Sequence, residues 1–346
     1  MDSEFKSISH PFSSTIEIGE TEYLYFGGTA YLGIPRNAEF IDLYIEGIKK
    51  FGLNNGTSRT NNIQLGIYDD AEKVAAKRFN AEDALITSSG YLAAQLTVKA
   101  LSGFENVIYA PATHPALWLE NQPFNAKSFT EWEIKTIELI NNSTDQSWVL
   151  ISNSMNNLFP EIYDFGFLEN IYPSKKITLI VDDSHGIGIN NNGMGAFNNL
   201  PKKENIECVV VASMAKALGL DAGLVLGSKE MIKKLKNTST FIGASPPAAA
   251  GLYAFINAEK IYANEWYKLQ ENIKLFSSKL NINSKFVPGF PAFYINNISL
   301  AEKLLKHRIL ISSFPYPNVN DAPINRIVLS SWHMDSVILK LLVAIE

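Results

Sequence analysis

Short apolar runs alternate with longer stretches of helical period along the first two thirds of the chain. The runs are Ala84-Leu-Ile-Thr87, Asn106-Val-Ile-Tyr109, Trp148-Val-Leu-Ile-Ser152, Ile177-Thr-Leu-Ile-Val-Asp182, Cys208-Val-Val-Val-Ala212 and Leu224-Val-Leu226. They are too short for helices and are apolar or β-branched throughout, so they predict buried strands. Helical stripes lie over 37–51, where Phe40, Ile41, Tyr44, Ile45 and Ile48 share a face, and over 67–79, 90–102 and roughly 160–172. Strand alternating with helix predicts a mostly parallel sheet covered on both faces.

Beyond about residue 230 the texture changes. A helical stretch over 247–280 starts after Pro246-Pro247 and carries Leu252, Phe255, Ile256, Ile261 and Trp266; proline suits a first helical turn but not an interior. Strands follow at Ala292-Phe-Tyr-Ile295 and Arg326-Ile-Val-Leu-Ser330, and a last helix starts at Asp335. The expected organisation is an N-terminal segment, 1–45, packing with a small α/β domain, 233–346, through the strand Glu22-Tyr-Leu-Tyr-Phe26, and a large domain over 46–232.

Composition narrows the function classes. The 346 residues are 46% hydrophobic and 19% charged, which excludes a disordered or collagen-like chain. Thirty basic residues against thirty-five acidic ones give a net charge of −5, and no basic run exceeds a pair, so nucleic acid is not an expected partner. Cys208 is the only cysteine, which excludes an intrachain disulfide and a cysteine-based metal site and suggests a reducing compartment. The five histidines lack paired spacing, so no metal is expected. The N-terminal residues carry no signal pattern, and no apolar stretch approaches the ~18 residues of a spanning helix, so a cytoplasmic protein that does not engage a membrane is expected.

In open α/β sheets, ligands bind beyond the carboxyl ends of the strands. Three strand ends carry candidate chemistry: Thr178-Leu-Ile-Val-Asp-Asp-Ser-His185, Val209-Val-Val-Ala-Ser-Met-Ala-Lys216, and Thr87-Ser-Ser-Gly-Tyr91 opening a helix. Singly, Asp182 and Asp183 read as loop caps, His185 as a core histidine and Lys216 as a solvated side chain. Jointly they make the set that a pyridoxal phosphate site requires. A lysine forms a Schiff base with the cofactor aldehyde, which assigns Lys216. An aspartate keeps the pyridine nitrogen protonated, which fits Asp182; a histidine near the ring oxygen can fix its ionisation by hydrogen bonding, and His185 sits three residues beyond Asp182 on the same strand-end loop. Phosphate calls for backbone N–H groups at a helix N-terminus plus hydroxyls, which Ser88, Ser89, Gly90, Tyr91 and Ser213 offer.

The stretches Tyr31-Leu-Gly-Ile34, Phe51-Gly-Leu-Asn-Asn-Gly-Thr-Ser-Arg59, Ser88-Ser-Gly-Tyr-Leu-Ala93, Val181-Asp-Asp-Ser-His-Gly-Ile-Gly188, Gly193-Met-Gly195, Ser213-Met-Ala-Lys-Ala-Leu-Gly219 and Ser245-Pro-Pro247 resemble, in order, those of the α-oxoamine synthases of the aminotransferase class I/II superfamily. The resemblance implies a fold-type I, pyridoxal phosphate-dependent transferase: α/β, with a mostly parallel central sheet between helices and a small C-terminal α/β domain. It also implies a homodimer with active sites at the interface, and an amino acid and an acyl-CoA as substrates. Residue by residue, Lys216 matches the Schiff-base lysine, Asp182 the pyridine-nitrogen partner, His185 the residue at the ring oxygen, and Ser213 a phosphate contact. Ser89, Gly90 and Tyr91 match the turn beside the phosphate, and His114 matches the histidine that stacks on the cofactor ring. Ser245 matches a residue reaching the neighbouring subunit's phosphate, and Arg326 the arginine that holds the substrate carboxylate, for which an exposed edge-strand arginine is the alternative reading.

The chain departs from the family's pattern at several of these places. Ala110 and Ala116 flank His114 where an aspartate and a serine are usual, and Asn153 and Asn157, the latter a candidate substrate contact, replace a glutamate and a serine. Two other activities therefore stand beside decarboxylative condensation: an aminotransferase acting on an amino acid and a keto acid, and a cofactor-binding, non-catalytic partner protein. A dinucleotide turn at Gly186-Ile-Gly188 is disfavoured because residue 191 is Asn, and Asp182, Ser184 and His185 on one turn cannot converge as a hydrolase triad.

Overall fold

All six apolar runs become strands of one sheet in the computed structural model, which describes residues 3–103, 106–121, 123, 126–315 and 320–346. In chain order the strands are β1 (Thr15–Ile18), β2 (Thr21–Phe26), β3 (Asp83–Thr87), β4 (Asn106–Tyr109), β5 (Ser147–Asn153), β6 (Met155–Asn156), β7 (Glu161–Ile162), β8 (Lys176–Asp182), β9 (Ile206–Ser213), β10 (Gly223–Gly227), β11 (Ser284–Phe286), β12 (Ala292–Ile295), β13 (Ile309–Pro315) and β14 (Pro323–Val328). The α-helices are α1 (Ala38–Phe51), α2 (Ile67–Arg78), α3 (Gly90–Leu101), α4 (Phe129–Asn142), α5 (Lys229–Lys236), α6 (Ser239–Gly243), α7 (Ala249–Asn257), α8 (Glu259–Lys279), α9 (Leu300–Lys306) and α10 (Asp335–Ile345). None is long and apolar enough to cross a membrane.

The chain divides into two compact units. The larger spans Glu39–Asn156 and Ile162–Glu259; the smaller comprises Met1–Ala38, Asn157–Glu161 and Lys260–Glu346. The divisions thus fall at 38/39 and 259/260 rather than at 45/46 and 232/233. Packing explains the shift. Ile232 and Leu235 of α5 are fully buried in the core of the larger unit with Leu85, Val209 and Val225. The guanidinium of Arg78 in α2 lies 4.4 Å from the Phe255 ring of α7. Gly47 of α1 meets α7 so closely that a Cβ there would stand 2.7 Å from the Ala250 carbonyl oxygen.

The larger unit's sheet has the order β3-β10-β9-β8-β5-β4. Strands β4, β5, β8 and β9 are parallel, while β10 is antiparallel to both neighbours, so the sheet is mixed at one end. Beside it, Glu72 of α2 forms a buried charge cluster. Its carboxylate accepts bonds from Arg59 at 2.8 Å, Lys236 at 2.8 Å and the Ile86 amide at 2.9 Å, and Arg59 also stacks on Tyr68 at 5.0 Å.

Helix is replaced by turns where the sequence predicts it over 160–172. Only a 3₁₀ turn, Gly166–Asn170, forms there. The Asp164 carboxylate accepts from the Gly166 amide at 2.8 Å, a local bond that competes with α-helix, and the buried Phe165, Leu168 and Ile171 repeat every three residues, as a 3₁₀ turn requires. The stretch 247–280 is two helices, α7 and α8, separated at Ala258. Helix α4 has no counterpart in the sequence expectations, although Ser128 caps it by accepting from the Glu131 amide at 3.1 Å, a Ser-x-x-Glu signature.

In the smaller unit the order is β1-β2-β13-β14-β12-β11, with β2 and β13 parallel and the other pairs antiparallel. His333, just before α10, ties this unit together. Its Nδ1 accepts from the Ser330 amide at 2.9 Å, its Nε2 lies 2.9 Å from the Tyr25 carbonyl, and its ring stacks on Phe26 at 4.3 Å. Asn272 of α8 donates to the carbonyls of both Ser330 and His333.

Two predictions follow from these buried groups. Burial pushes the His333 imidazole down from 6.5 to about 4, whereas in the unfolded chain it takes a proton near its ordinary value. The unfolded state therefore binds more protons between those limits. Stability from this residue is complete above pH 6.5 and declines toward pH 4 by about 3 kcal/mol. Urea unfolding of the wild type and of His333→Gln across this window should show a shallower pH slope in the variant, by that order of magnitude. Glu72→Ala leaves Arg59 and Lys236 without their carboxylate and should lower unfolding stability by about 3–5 kcal/mol at pH 7, whereas Lys236→Met, at a more exposed position, should cost about 1 kcal/mol or less.

Candidate active site

Backbone and side-chain bonds lace the parallel strand ends of the larger unit together. Asp182, the last residue of β8, lies opposite Asn153 of β5 and Val211 of β9. Its carbonyl accepts from the Ser154 amide at 2.8 Å, and the next amide, Asp183, donates to the Val211 carbonyl at 2.8 Å. The Asp182 Oδ1 accepts from the Ser184 amide at 2.8 Å, and the Ser184 hydroxyl oxygen accepts from the Ser213 amide at 2.8 Å. The turn carrying Asp182 and His185 is thus fastened to the end of β9, three residues before Lys216. Lys216 is half-buried, and this burial pushes its ammonium pKa down while the charge of Asp182 works against the shift. A lysine so placed releases its proton more readily than one in water.

The start of α3 packs against the same strand end. Ser89 caps the helix, its Oγ accepting from the Leu92 amide at 3.1 Å. A Cβ on Gly90 would stand 2.6 Å from both Cα and Cβ of Ser213, and one on Gly223 would overlap the Ser89 carbonyl. Glycine at both positions lets the helix N-terminus close onto Ser213. The amides of Gly90 and Tyr91 precede the first intrahelical bonds, so donors converge there with the Ser213 hydroxyl. The Tyr91 side chain is largely exposed.

Asp183 faces the other way and is buried. Its Oδ2 accepts from the Ala196 amide at 2.8 Å, and a Cβ on Gly186 or Gly195 would strike its carboxyl group. Burial, reinforced by the neighbouring charge of Asp182, pushes this carboxyl up to about 7. Asp183 anchors the 186–196 turn, whereas Asp182 bonds its own loop through one carboxylate oxygen.

His114 heads the 3₁₀ turn Pro115–Leu117, and its Nδ1 accepts from the Ala116 amide at 3.2 Å. Its own amide donates to Asn153 Oδ1 at 3.2 Å, and Asn153 Nδ2 donates to the Ala112 carbonyl at 2.7 Å. Asn153 stands out in the sequence as a departure from the family pattern; its hold on the His114 loop requires the fold to be seen. The replaced positions Ala110 and Ala116 are both buried.

Ser245 is exposed and lines a separate cavity of about 440 Å³ with the loop 53–58, and no described hydrogen bond joins it to the strand ends. Arg326 belongs to the smaller unit. It sits in β14, between β13 and β12, and is 7% exposed, which excludes an exposed edge-strand arginine. Its Nη1 donates to the Asn157 backbone carbonyl, so Asn157 contributes its main chain to this contact, and the guanidinium lies 5.7 Å from the Phe314 ring. Its Nε is buried without a partner, and among the described residues no carboxylate pairs with it. Among the described residues, no cluster of three or more His, Cys, Asp or Glu side chains is placed to hold a metal ion.

The strand-end group fits pyridoxal phosphate in its donor chemistry: an amine whose proton is loosened by burial, a carboxylate with a free oxygen, and a glycine-shaped helix start beside a hydroxyl. Known proteins give the same direction. A profile of the aminotransferase class I and II family matches residues 35–345. A putative 8-amino-7-oxononanoate synthase of Trichodesmium erythraeum is 25% identical over 98% of this chain and 92% of its own length. An 8-amino-7-oxononanoate synthase of Petrotoga mobilis is 25% identical over 91% of this chain and 86% of its own. Among solved structures, serine palmitoyltransferase from S. paucimobilis with a bound PLP–myriocin aldimine superposes with a TM-score of 0.83 at 15% identity, covering 98% of this chain and 90% of that one. The 8-amino-7-oxononanoate synthase of Francisella tularensis gives 0.70 at 22% identity, covering 93% and 96%. With the family profile spanning nearly its whole length and the fold-type I architecture reproduced, the chain belongs to the aminotransferase class I and II family.

Proposed function

We propose that this pyridoxal phosphate-dependent transferase is an acyltransferase of the α-oxoamine synthase type, joining an amino acid to an acyl-CoA with loss of carbon dioxide. The observation that carries the reading is Lys216, an amine loosened by burial within electrostatic reach of Asp182 and three residues beyond Ser213, against which the glycine-shaped start of α3 packs. When bound, the cofactor supplies an aldehyde that captures amines and a ring that accepts the electron pair released at the amino-acid α carbon.

The protein's own groups divide the remaining work. Asp182 would hold a proton on the pyridine nitrogen with the carboxylate oxygen that Ser184 leaves free, and His185 would bond the ring oxygen. Ser89, Gly90, Tyr91 and Ser213 would hold the phosphate through amides and hydroxyls, while His114 would lie against the ring. Lys216 would take the proton from the amino-acid α carbon, and burial, which pushes its pKa down, favours the free amine that such a base requires. Arg326 would hold the substrate carboxylate: a buried guanidinium with an unpartnered Nε and no carboxylate of its own is supported as an anion site. A homodimer is supported by apolar side chains exposed on the larger unit, including Ile41, Ile45, Leu53, Ile63 and Ile242, and in it Ser245 would reach the partner's phosphate.

The first test is attachment. Protein incubated with pyridoxal phosphate, reduced with borohydride and digested should carry the label on Lys216, and Lys216→Ala should lose both label and turnover, the latter by roughly 10³-fold or more. A Lys216→Ala protein that keeps its activity overturns the assignment. The second test concerns the co-substrate. With glycine, alanine or serine as the amino acid, an acyl-CoA should drive release of free CoA and carbon dioxide. Turnover that instead needs a keto acid, with no CoA released, would make the protein an aminotransferase.

A further inference from the structure

Resting on that reading of the site, we propose that Asn153 is a positioning residue that sets how His114 is presented to the cofactor. Its carboxamide spans the loop ahead of His114 in both directions: Oδ1 accepts from the His114 amide at 3.2 Å and Nδ2 donates to the Ala112 carbonyl at 2.7 Å. Ala112 is held at φ +55°, in the left-handed region that a residue with a Cβ rarely adopts, so the loop needs an outside hold at this point. The other end of the histidine is fixed as well, because the Ala116 amide donates to Nδ1. In the neutral ring the proton then resides on Nε2, so the imidazole offers the site an N–H donor.

Only an amide can do this work here. A carboxylate at 153, as the family pattern has it, would accept from the His114 amide but could not donate to the Ala112 carbonyl. It would also add a second negative charge beside Asp182, its neighbour in the strand register. Asparagine fixes the loop and leaves Asp182 as the charge at this strand end.

The test uses the full chain with pyridoxal phosphate as probe, read by cofactor affinity and the visible circular dichroism of the bound cofactor. Asn153→Asp should weaken affinity about tenfold and alter the dichroism, with the thermal midpoint of the cofactor-free protein unchanged. Adding Ala112→Gly to Asn153→Asp should recover part of the loss, since glycine holds a left-handed conformation without support. A variant indistinguishable from the wild type overturns the proposal, and a loss that Ala112→Gly does not relieve assigns Asn153 to direct contact instead. A readout independent of the cofactor is amide hydrogen exchange of a peptide covering 110–117 in the cofactor-free protein. Asn153→Ala should speed it about tenfold, and unchanged exchange also overturns the proposal. Failure of the wild type to bind pyridoxal phosphate would instead sink the function proposed above, leaving the exchange result to decide the role of Asn153.

Discussion

The close approach of α3 to the end of β9 governs the site. Gly90 against Ser213, and Gly223 against Ser89, leave no room for a Cβ at either glycine. This contact brings the partial positive charge of a helix start to the strand end that leads into Lys216. A side chain at either glycine would push helix and strand apart, and the amides, the Ser213 hydroxyl and the lysine would no longer address one ligand. The neighbouring strands are then held in step by bonds running across their ends, from Ser154 to Asp182, from Asp183 to Val211 and from Ser213 to Ser184.

Charge is distributed over this scaffold by burial. Of two adjacent aspartates, Asp182 keeps a free oxygen at the strand ends, while Asp183 is enclosed by Gly186, Gly195 and the Ala196 amide and takes up a proton near neutrality. Two ionised carboxylates so close together would repel, and burying one as an acid removes the conflict. The smaller unit shows the same economy with opposite sign: His333 is held neutral between a backbone donor and a backbone acceptor, and the Arg326 guanidinium sits beside the Phe314 ring and donates to the Asn157 carbonyl.

Much of this was legible in the residues. Each strand of the larger sheet is a continuous apolar run, and runs of that length have few other stable places. That Lys216, Asp182, His185 and the Ser89-Gly90-Tyr91 turn stand at or just beyond the ends of β9, β8 and β3 could be read from where the apolar runs stop. What stayed hidden depended on side chains meeting across the chain. Glu72 is one of thirty-five acidic residues until Arg59, Lys236 and the Ile86 amide surround it, and Asp183 cannot be told from Asp182 without seeing which one is enclosed. Helix α4 carries both a capping signal and buried Phe129, Trp132 and Ile140 at helical spacing, so its signal was there to be read, whereas 160–172 has apolar residues at a spacing that suits a 3₁₀ turn as well as a helix. The domain boundary moved because α5 and α7 bury their apolar faces in the larger unit, a preference that composition does not express.

Strand order also constrains how the protein is made. Within its sheet β3 is bonded only to β10, which follows it by well over a hundred residues, and β2 meets β13 only after nearly the whole chain has been synthesised. A ribosome releasing this polypeptide from the N-terminus lets β2 pair with β1 at once, but exposes the other edge of β2, and all of β3, long before β13 and β10 exist. Both sheets are high in contact order and close late, so folding is expected to be slow, and a nascent chain ending before β10 would expose an unpaired apolar edge. Chaperone demand during synthesis is therefore written into the topology, and a chain ending between β10 and β13 holds every strand of the larger sheet but lacks β13 and β14 of the smaller one.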